Sequence, residues 1–565
     1  MGGRSLNRVT TLRVALAQLN PAVGDLSGNV RALTDAYERA VREHADVVVF
    51  GELSITGYPP EDLVLKSGFV SENRRVLDEF ASATESCAAI VGFVDREGER
   101  LYNAAAVCAN GTVVGTYRKH LLPNYRVFDE ERYFEPGESN TLFRIGGVTC
   151  GLTICEDIWF ADGPVRTQAM AGASVMLNIN GSPFHRGRMG EREQLVVGRA
   201  RDNDCAVVYV NQVCGQDELV FDGGSMVVAH DGTLLARMRQ FEEDFLVVDI
   251  DAHDKPVTGD VVLVSEVPKE RKVIPASRVE PVLDELEEIH RALVLGTRDY
   301  ARKNGFSDVV IGLSGGIDSA LVAVIAVEAL GAERVHGISM PSRYSSQGSR
   351  DDAAELARNL GIRLDTIEIE PAFDAYLRMT QAMFGDRPQD LTEENLQSRV
   401  RGTTLMALSN KFGWMVLTTG NKSEVAVGYF TLYGDSVGAY AVIKDVFKTT
   451  VYRLCERINE RTGREVIPVS TITKPPSAEL RPDQRDDQSL PPYEVLDPIL
   501  AMYVEDDLTT QEIVAKGHDE ELVRRIARLV DASEYKRRQA PPGVRVSTKA
   551  FGKDRRMPIT NLFRG

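Results

Sequence analysis

The chain is short of cysteine, of long apolar runs and of basic residues, and each shortage closes off a class of function. Its 565 residues include seven cysteines, Cys87, Cys108, Cys150, Cys155, Cys205, Cys214 and Cys455, odd in number and without C-x-x-C spacing. Neither a disulfide framework nor a zinc site is expected, and a reducing cytoplasm suits such a chain. Arg4, Arg8 and Arg13 are not followed by a sustained apolar core, and the most apolar helical stretch, Ala320 to Leu330, contains Glu328. It is too short to span a bilayer, so neither an export signal nor a membrane anchor is expected. Lys and Arg number 66 against 83 Asp and Glu, a net charge of −17. Nucleic acid is therefore not an expected partner, and an anionic substrate must rely on local basic groups. Internal repeats and low-complexity tracts are also missing.

What remains is a globular composition, 43% apolar and 26% charged, with material for two or more domains. Its most informative stretch is Ser314-Gly315-Gly316-Ile317-Asp318-Ser319, which follows the apolar run Val309 to Leu313 and opens a helical pattern. A Gly-Gly turn between a buried strand and a helix lets backbone N–H groups approach an anion at the positive end of the helix, and the flanking serines add hydroxyl donors. Asp318 would repel a bare phosphate unless a divalent cation lay between them. The loop therefore implies a magnesium-bound nucleotide. A Walker A loop would carry a lysine after its last glycine, and this loop has none. It resembles instead the pyrophosphate-binding signature of the ATP pyrophosphatases, which split ATP into AMP and pyrophosphate to adenylate a substrate.

Ahead of that loop, strand-like runs are read at Arg13 to Leu19, Asp46 to Phe50, Ala88 to Val94, Asn103 to Cys108, Val148 to Ile154, Ser174 to Ile179, Ala206 to Val210 and Ser225 to His230, with helical segments between several of them. A second α/β half begins near Pro281. The polar, proline-bearing stretch Asp251 to Arg278 reads as the connection, giving expected domains at 1–275 and 276–565. Glu52, Lys119 and Cys155 each lie just after an apolar or extended run, where open α/β architectures place their chemistry. Taken singly, a cysteine there is more often core packing, and a Lys or Glu more often solvated surface.

Together the three residues resemble the Glu-Lys-Cys triad of the nitrilase, or carbon–nitrogen hydrolase, family over roughly Val14 to Ile250. The resemblance implies an α-β-β-α sandwich in which Glu52 takes the Cys155 proton, Cys155 attacks an amide carbonyl and Lys119 holds the oxyanion. A thiol of pKa about 8.5 needs such a base or positive field near neutral pH. Similarity to the glutamine-hydrolysing branch carries Tyr125, Ser182 and Arg188 over as glutamine contacts, and a guanidinium fork suits an α-carboxylate. Asp129 or Glu130 is a further acidic partner of the triad.

The second half resembles the NAD synthetases through several motifs in order: Glu394 to Arg399, Thr418 to Glu424, Tyr433-Gly434-Asp435, Lys448-Thr449, Pro476 to Leu480, Glu534 to Arg538 and Phe551 to Asp554. That resemblance implies a doubly wound parallel sheet. Ser314 to Ser319, with Gly315, Gly316 and Ile317, together with Thr419 and Lys448, would hold ATP. Asp318 and Glu424 would bind Mg2+, while Asn395, Arg399, Glu424, Asp435 and Lys536 would position deamido-NAD. The tract Lys474 to Pro492 reads as a lid or an ordinary exposed loop. Joined in one chain, the halves imply ATP-driven amidation of deamido-NAD with ammonia from glutamine, passed along a dry channel, by a homo-oligomer. Another adenylating amidotransferase and a nonenzymatic nucleotide sensor are the competing readings.

Overall fold

In a computed structural model, which describes residues 9–270, 278–477, 479–482, 484 and 490–562, the chain divides into two compact units. One comprises the chain to Gln216 and Val220–Leu283; the other comprises Asp217–Leu219 and the chain from Asp284. The boundary expected between residues 275 and 276 lies outside the described residues.

The first unit is built on two mixed sheets. One has six strands in the order Asp244–His253, Val9–Gln18, Val47–Val49, Ala88–Glu97, Arg100–Ala109 and Thr112–Arg118. The other has seven, in the order Leu234–Arg237, Met226–Val228, Ala206–Asn211, Val175–Asn180, Val148–Ile154, Leu142–Ile145 and Val261–Leu263. Alternation in these strands sends one set of apolar side chains inward between the sheets, including Val14, Val47, Ile90, Leu152, Leu177 and Val208. The opposite faces are covered by helices. Leu33, Tyr37, Leu77 and Phe80, from the helices Leu26–Arg42 and Ser67–Ser82, pack on the first sheet. Val165, Met189 and Val196, from Pro164–Met170 and Arg188–Asp202, pack on the second. The result is a four-layer α-β-β-α sandwich.

The segment Asp251 to Arg278 is not wholly a connection. Asp251 to His253 end a strand paired in register with Val9 to Thr11, and the apolar burst Val261–Leu263 adds a parallel edge strand beside Leu142–Ile145. Short apolar runs in a polar stretch find edge positions because one ladder and one buried face suffice there.

The second unit is a five-stranded, all-parallel sheet in the order Arg363–Thr366, Val335–Ser339, Val309–Gly312, Met415–Thr418, Tyr440–Ala441. Sequence order runs outward in one direction from Val309–Gly312 and then resumes on its other side, so this strand marks the topological switch point, where such folds bind ligands. The helix Glu285–Lys303 shows how local sequence sets an element: Asp284 accepts from the Glu287 N–H, Glu285, Glu287 and Glu288 occupy the positive first turn, and Arg302 and Lys303 the negative last one. The helix Ile317–Leu330 is apolar on nearly every side and is buried accordingly, with Leu321, Ala323 and Ile325 fully enclosed.

Candidate functional sites

In the first unit the expected triad residues all follow strand ends. Glu52 comes after Val47–Val49, Lys119 after Thr112–Arg118 and Cys155 after Val148–Ile154. Both sheets thus deliver chemistry to one end of the sandwich. Cys155 has φ +43°, a left-handed conformation that a non-glycine residue adopts only when its surroundings enforce it. Asp157 supplies that enforcement. Its carboxylate accepts from the Ile154 N–H at 3.0 Å, from His120 N at 3.1 Å, from Leu121 N at 2.9 Å and from the Tyr117 hydroxyl at 2.8 Å, tying the cysteine turn to the segment that carries Lys119.

Lys119 is fully buried, and its Nζ donates to Glu52 Oε1 at 2.7 Å and to Glu130 Oε1 and Oε2 at 2.8 and 2.9 Å. Glu130, not Asp129, is therefore the second acid of the cluster. The Tyr58 hydroxyl also donates to Glu130 Oε1, at 2.8 Å. Glu52 Oε1 further accepts from Asn103 Nδ2 and its Oε2 from Gly181 N, both at 2.7 Å. Burial by itself would lower the Lys119 pKa, but the Glu130 and Glu52 charges outweigh it and hold the ammonium well above its ordinary value. Burial, reinforced by Glu52, pushes the Cys155 thiol well above its usual range, with Lys119 pulling the other way. That balance favours the neutral thiol at Cys155 over a thiolate.

Tyr125 is half exposed, and its hydroxyl donates to Glu156, the residue after Cys155, at 2.9 Å. The Arg188 guanidinium lies 4.0 Å over the Trp159 ring and donates from Nη1 to Glu191 at 2.8 Å, while its Nε has no hydrogen-bond partner among the described residues. Ser182 follows Gly181 on the loop that contacts Glu52. Its Oγ accepts from Arg192 at 3.3 Å and its N–H donates to Asn211 at 2.9 Å. Burial raises the Glu156 pKa, while Tyr125, Lys119 and Arg188 oppose the shift. Sequence reasoning passed over Glu156, Asn103, Tyr58 and Asp157. Position beside the cysteine was the only signal for Glu156 and Asp157, and none marked Tyr58 or Asn103.

In the second unit a cleft of about 320 Å³ opens at the switch point, lined by Ser314, Gly316, Ile317, Asp318, Ser319, Thr419, Glu424, Asp435 and Lys448 among others. Gly315 has φ +77°, and a Cβ there would fall 2.1 Å from the Ser349 carbonyl oxygen, so the turn demands glycine. Ser314 Oγ accepts from Gly316 N at 3.1 Å, which shapes the loop. Asp318 accepts from Asn421 Nδ2 at 3.0 Å and pairs with Lys448, whose Nζ is also 3.5 Å from Glu424. Burial would lower the Lys448 pKa, but Asp318 and then Glu424 raise it. Two carboxylates thus share one ammonium beside the glycine turn. Such a pair suits Mg2+, which takes one or two carboxylates and completes its shell with water and substrate phosphates.

The loop Gly428 to Asp435 gathers the remaining expected residues. Thr431 donates from its hydroxyl to Asn395 and from its N–H to Asp435, both at 2.7 Å. Arg399 reaches the Leu432 carbonyl at 3.2 Å, and Lys536 the Gly428 and Phe430 carbonyls at 2.8 and 2.9 Å. Arg401, missed in the sequence, also lines the cleft, donating to the Met340 carbonyl at 3.1 Å, with its pKa drawn down to about 10 by burial. Of the expected lid, residues 478, 483 and 485–489 lie outside the described residues. Lys474 lines the cleft, and Glu479 accepts from the Ser346 and Ser349 hydroxyls, both at 2.8 Å.

Known proteins agree with this division. The carbon–nitrogen hydrolase family matches residues 13–255 and the NAD synthase family residues 289–540. A glutamine-dependent NAD(+) synthetase of Thermotoga maritima is 49% identical, covering 98% of this chain and 99% of its own, and that of Aquifex aeolicus is 45% identical, covering 98% and 100%. A solved glutamine-dependent NAD+ synthetase of Acinetobacter baumannii, in complex with ADP, is 41% identical with a TM-score of 0.76, covering 98% of this chain and 99% of that one. Identity at this level, sustained through both units, means that the chain belongs to the glutamine-dependent NAD(+) synthetases.

Proposed function

We propose that the first unit hydrolyses glutamine through Cys155 and that the second spends the resulting ammonia on adenylated deamido-NAD. The family's reaction is the ATP-driven amidation of deamido-NAD to NAD. One observation carries the assignment of residues: a solvent-excluded Glu52–Lys119–Glu130 cluster beside a strained cysteine. Glu52 takes the Cys155 proton as Sγ attacks the side-chain amide carbon of glutamine. The Lys119 ammonium stabilises the oxyanion. Collapse of the tetrahedral centre breaks the carbon–nitrogen bond, with Glu52 returning the proton to the leaving ammonia. Water, deprotonated by Glu52, then attacks the thioester carbon, the carbon–sulfur bond breaks, and Glu52 returns the proton to the Cys155 sulfur as glutamate leaves. The free glutamine molecule carries an ammonium and a carboxylate of its own. Glu156 supports capture of the first and Arg188 that of the second, with Tyr125, bonded to Glu156, and Ser182 as the further glutamine contacts.

In the second unit Ser314 to Ser319 cradle ATP with Thr419, and Lys448 neutralises the departing pyrophosphate. Asn395, Arg399, Glu424, Asp435 and Lys536 orient deamido-NAD, so that its nicotinate carboxylate displaces pyrophosphate from the α-phosphorus. Ammonia then attacks the carbonyl carbon and AMP leaves. Asp318 and Glu424 would hold Mg2+, which neutralises phosphate charge when bound. A cytoplasmic location and a homo-oligomer complete the proposal. The first accords with seven buried cysteines, none of them in a disulfide, and the second with the helix Glu370–Phe384, whose Tyr376, Met379 and Met383 are exposed.

The division of labour is tested by two variants assayed by mass spectrometry of products. Cys155→Ala is expected to abolish glutamine-supported NAD synthesis and to retain synthesis from added ammonium. Asp318→Ala is expected to lose both. A folded Cys155→Ala chain inactive with either donor, or an Asp318→Ala chain active at ordinary magnesium, would overturn the assignment.

A further inference from the structure

Asn103 is the group in the first unit that the mechanism leaves unused and the geometry does not. It lies in the strand Arg100–Ala109, fully buried, and its backbone carbonyl accepts from the Lys119 N–H at 2.8 Å. Its side-chain Nδ2 carries two hydrogens and reaches both acids, Glu52 Oε1 at 2.7 Å and Glu130 Oε2 at 3.3 Å. Its Oδ1 is buried with no hydrogen-bond partner among the described residues. Turning the amide over would set that oxygen against two carboxylates, so this orientation is the only one the site tolerates. An apolar residue would leave no buried oxygen unpaired. A side chain held with one end satisfied by two acids and the other unsatisfied is the mark of a site whose local geometry serves chemistry.

The donor inventory says what Asn103 does. The three hydrogens of the Lys119 ammonium meet Glu52 Oε1 and the two oxygens of Glu130, so at rest none is left over. When Lys119 shares a hydrogen with an oxyanion, the two glutamates lose part of their cationic partner at the moment Glu52 must hold a proton. Asn103 is a neutral second donor common to both acids. By filling Glu52 Oε1 together with Lys119, it leaves Oε2, which among the described residues accepts only from Gly181 N at 2.7 Å, as the oxygen with a lone pair to spare for the thiol. We infer that Asn103 is a positioning residue of the glutaminase reaction, which clamps the Glu52–Glu130 pair and directs one oxygen of Glu52 toward Cys155. The inference rests on the cysteine mechanism proposed above.

The pair is faced by Lys119 from the end of its strand, by Cys155 and Glu156 from the turn after Val148–Ile154, and by the Tyr58 hydroxyl. These stay in place in an Asn103 variant, so a change in titration reports the amide. The test is glutamine hydrolysis by the full chain across pH, with thermal unfolding confirming that each variant is folded. In Asn103→Leu, which keeps the branching at Cγ but is bulkier, the carboxylate pair loses a donor and binds its proton more tightly. The acid limb of kcat/KM should move up by about one pH unit, and kcat should fall by about 10- to 100-fold. Asn103→Asp, which adds a like charge, should move the limb further in the same direction. A folded Asn103→Leu chain with the limb unmoved would overturn the inference, whether its rate is normal or reduced, since a merely structural loss lowers the rate without moving the limb. Cys155→Ala run alongside keeps the two claims apart: hydrolysis surviving in that variant would sink the cysteine mechanism itself.

Discussion

Cys155 shows how much a single residue's setting differs from what its identity suggests. A cysteine after an apolar run reads either as packing or as a nucleophile, and here it is buried at the edge of the inter-sheet core while facing Glu52 and Lys119, the setting that the proposed nucleophile needs. The expectation of a base and a cation beside it was legible, because both lie directly after strand-like runs. The second acid was legible only as a choice between Asp129 and Glu130, since nothing in a row of acidic residues says which one turns inward. A consequence follows for pH. A thiol with an ordinary pKa of about 8.5 would give a rate that climbs through that pH as thiolate accumulates. Burial and Glu52 push Cys155 well above that range, so its thiolate fraction stays negligible through neutrality, and the proton must leave during attack. Glutamine kcat/KM should therefore be flat between about pH 7.5 and 9, its acid limb set by the carboxylate pair. A rise centred near 8.5 would show instead that the free thiol titrates normally.

At the level of elements, legibility followed range. Val148–Ile154 coincides with its expected bounds because its seven residues form one buried apolar run. The strand Asp244–His253 went unread as part of a sheet. It pairs antiparallel with Val9–Gln18 from Val9↔His253 to Gln18↔Asp244, and a window of sequence does not register partners that far apart. The loop Ser314 to Ser319 was readable because its glycines, its strand and its helix are contiguous. Its reason for glycine was only half visible, since the partner that excludes a side chain at Gly315 is the Ser349 backbone, on another helix. Gly315→Ala must therefore either leave φ +77° or displace that carbonyl. A shift of roughly 1 Å in the phosphate cradle is enough to cost about 100-fold in rate. With ammonium as donor, so that the first unit is bypassed, NAD synthesis should fall by that order and KM for ATP should rise. Steady-state kinetics close to those of the unaltered chain would show that the loop has room the geometry denies it.

For the whole molecule, the two units hold separate cores. Val14, Leu152 and Val208 belong to one, and Val310, Ile338 and Val416 to another, so each unit has its own basis for stability. Among the described residues no helix is long and apolar enough to cross a membrane. Why one chain carries both chemistries is a question about ammonia. At neutral pH free ammonia is mostly ammonium, which has no lone pair for attack, and an acyl adenylate exposed to water hydrolyses. Nitrogen released at Cys155 and consumed at the adenylate without mixing with solvent would escape both losses. Unlabelled glutamine supplied together with a large excess of 15N-ammonium separates the cases. Private transfer predicts NAD with a mostly unlabelled amide, because the labelled pool competes poorly against nitrogen delivered unprotonated. Release into bulk predicts an amide whose label matches that of the medium, and finding that match while glutamine is being consumed would mean that the two reactions share a chain but not their ammonia.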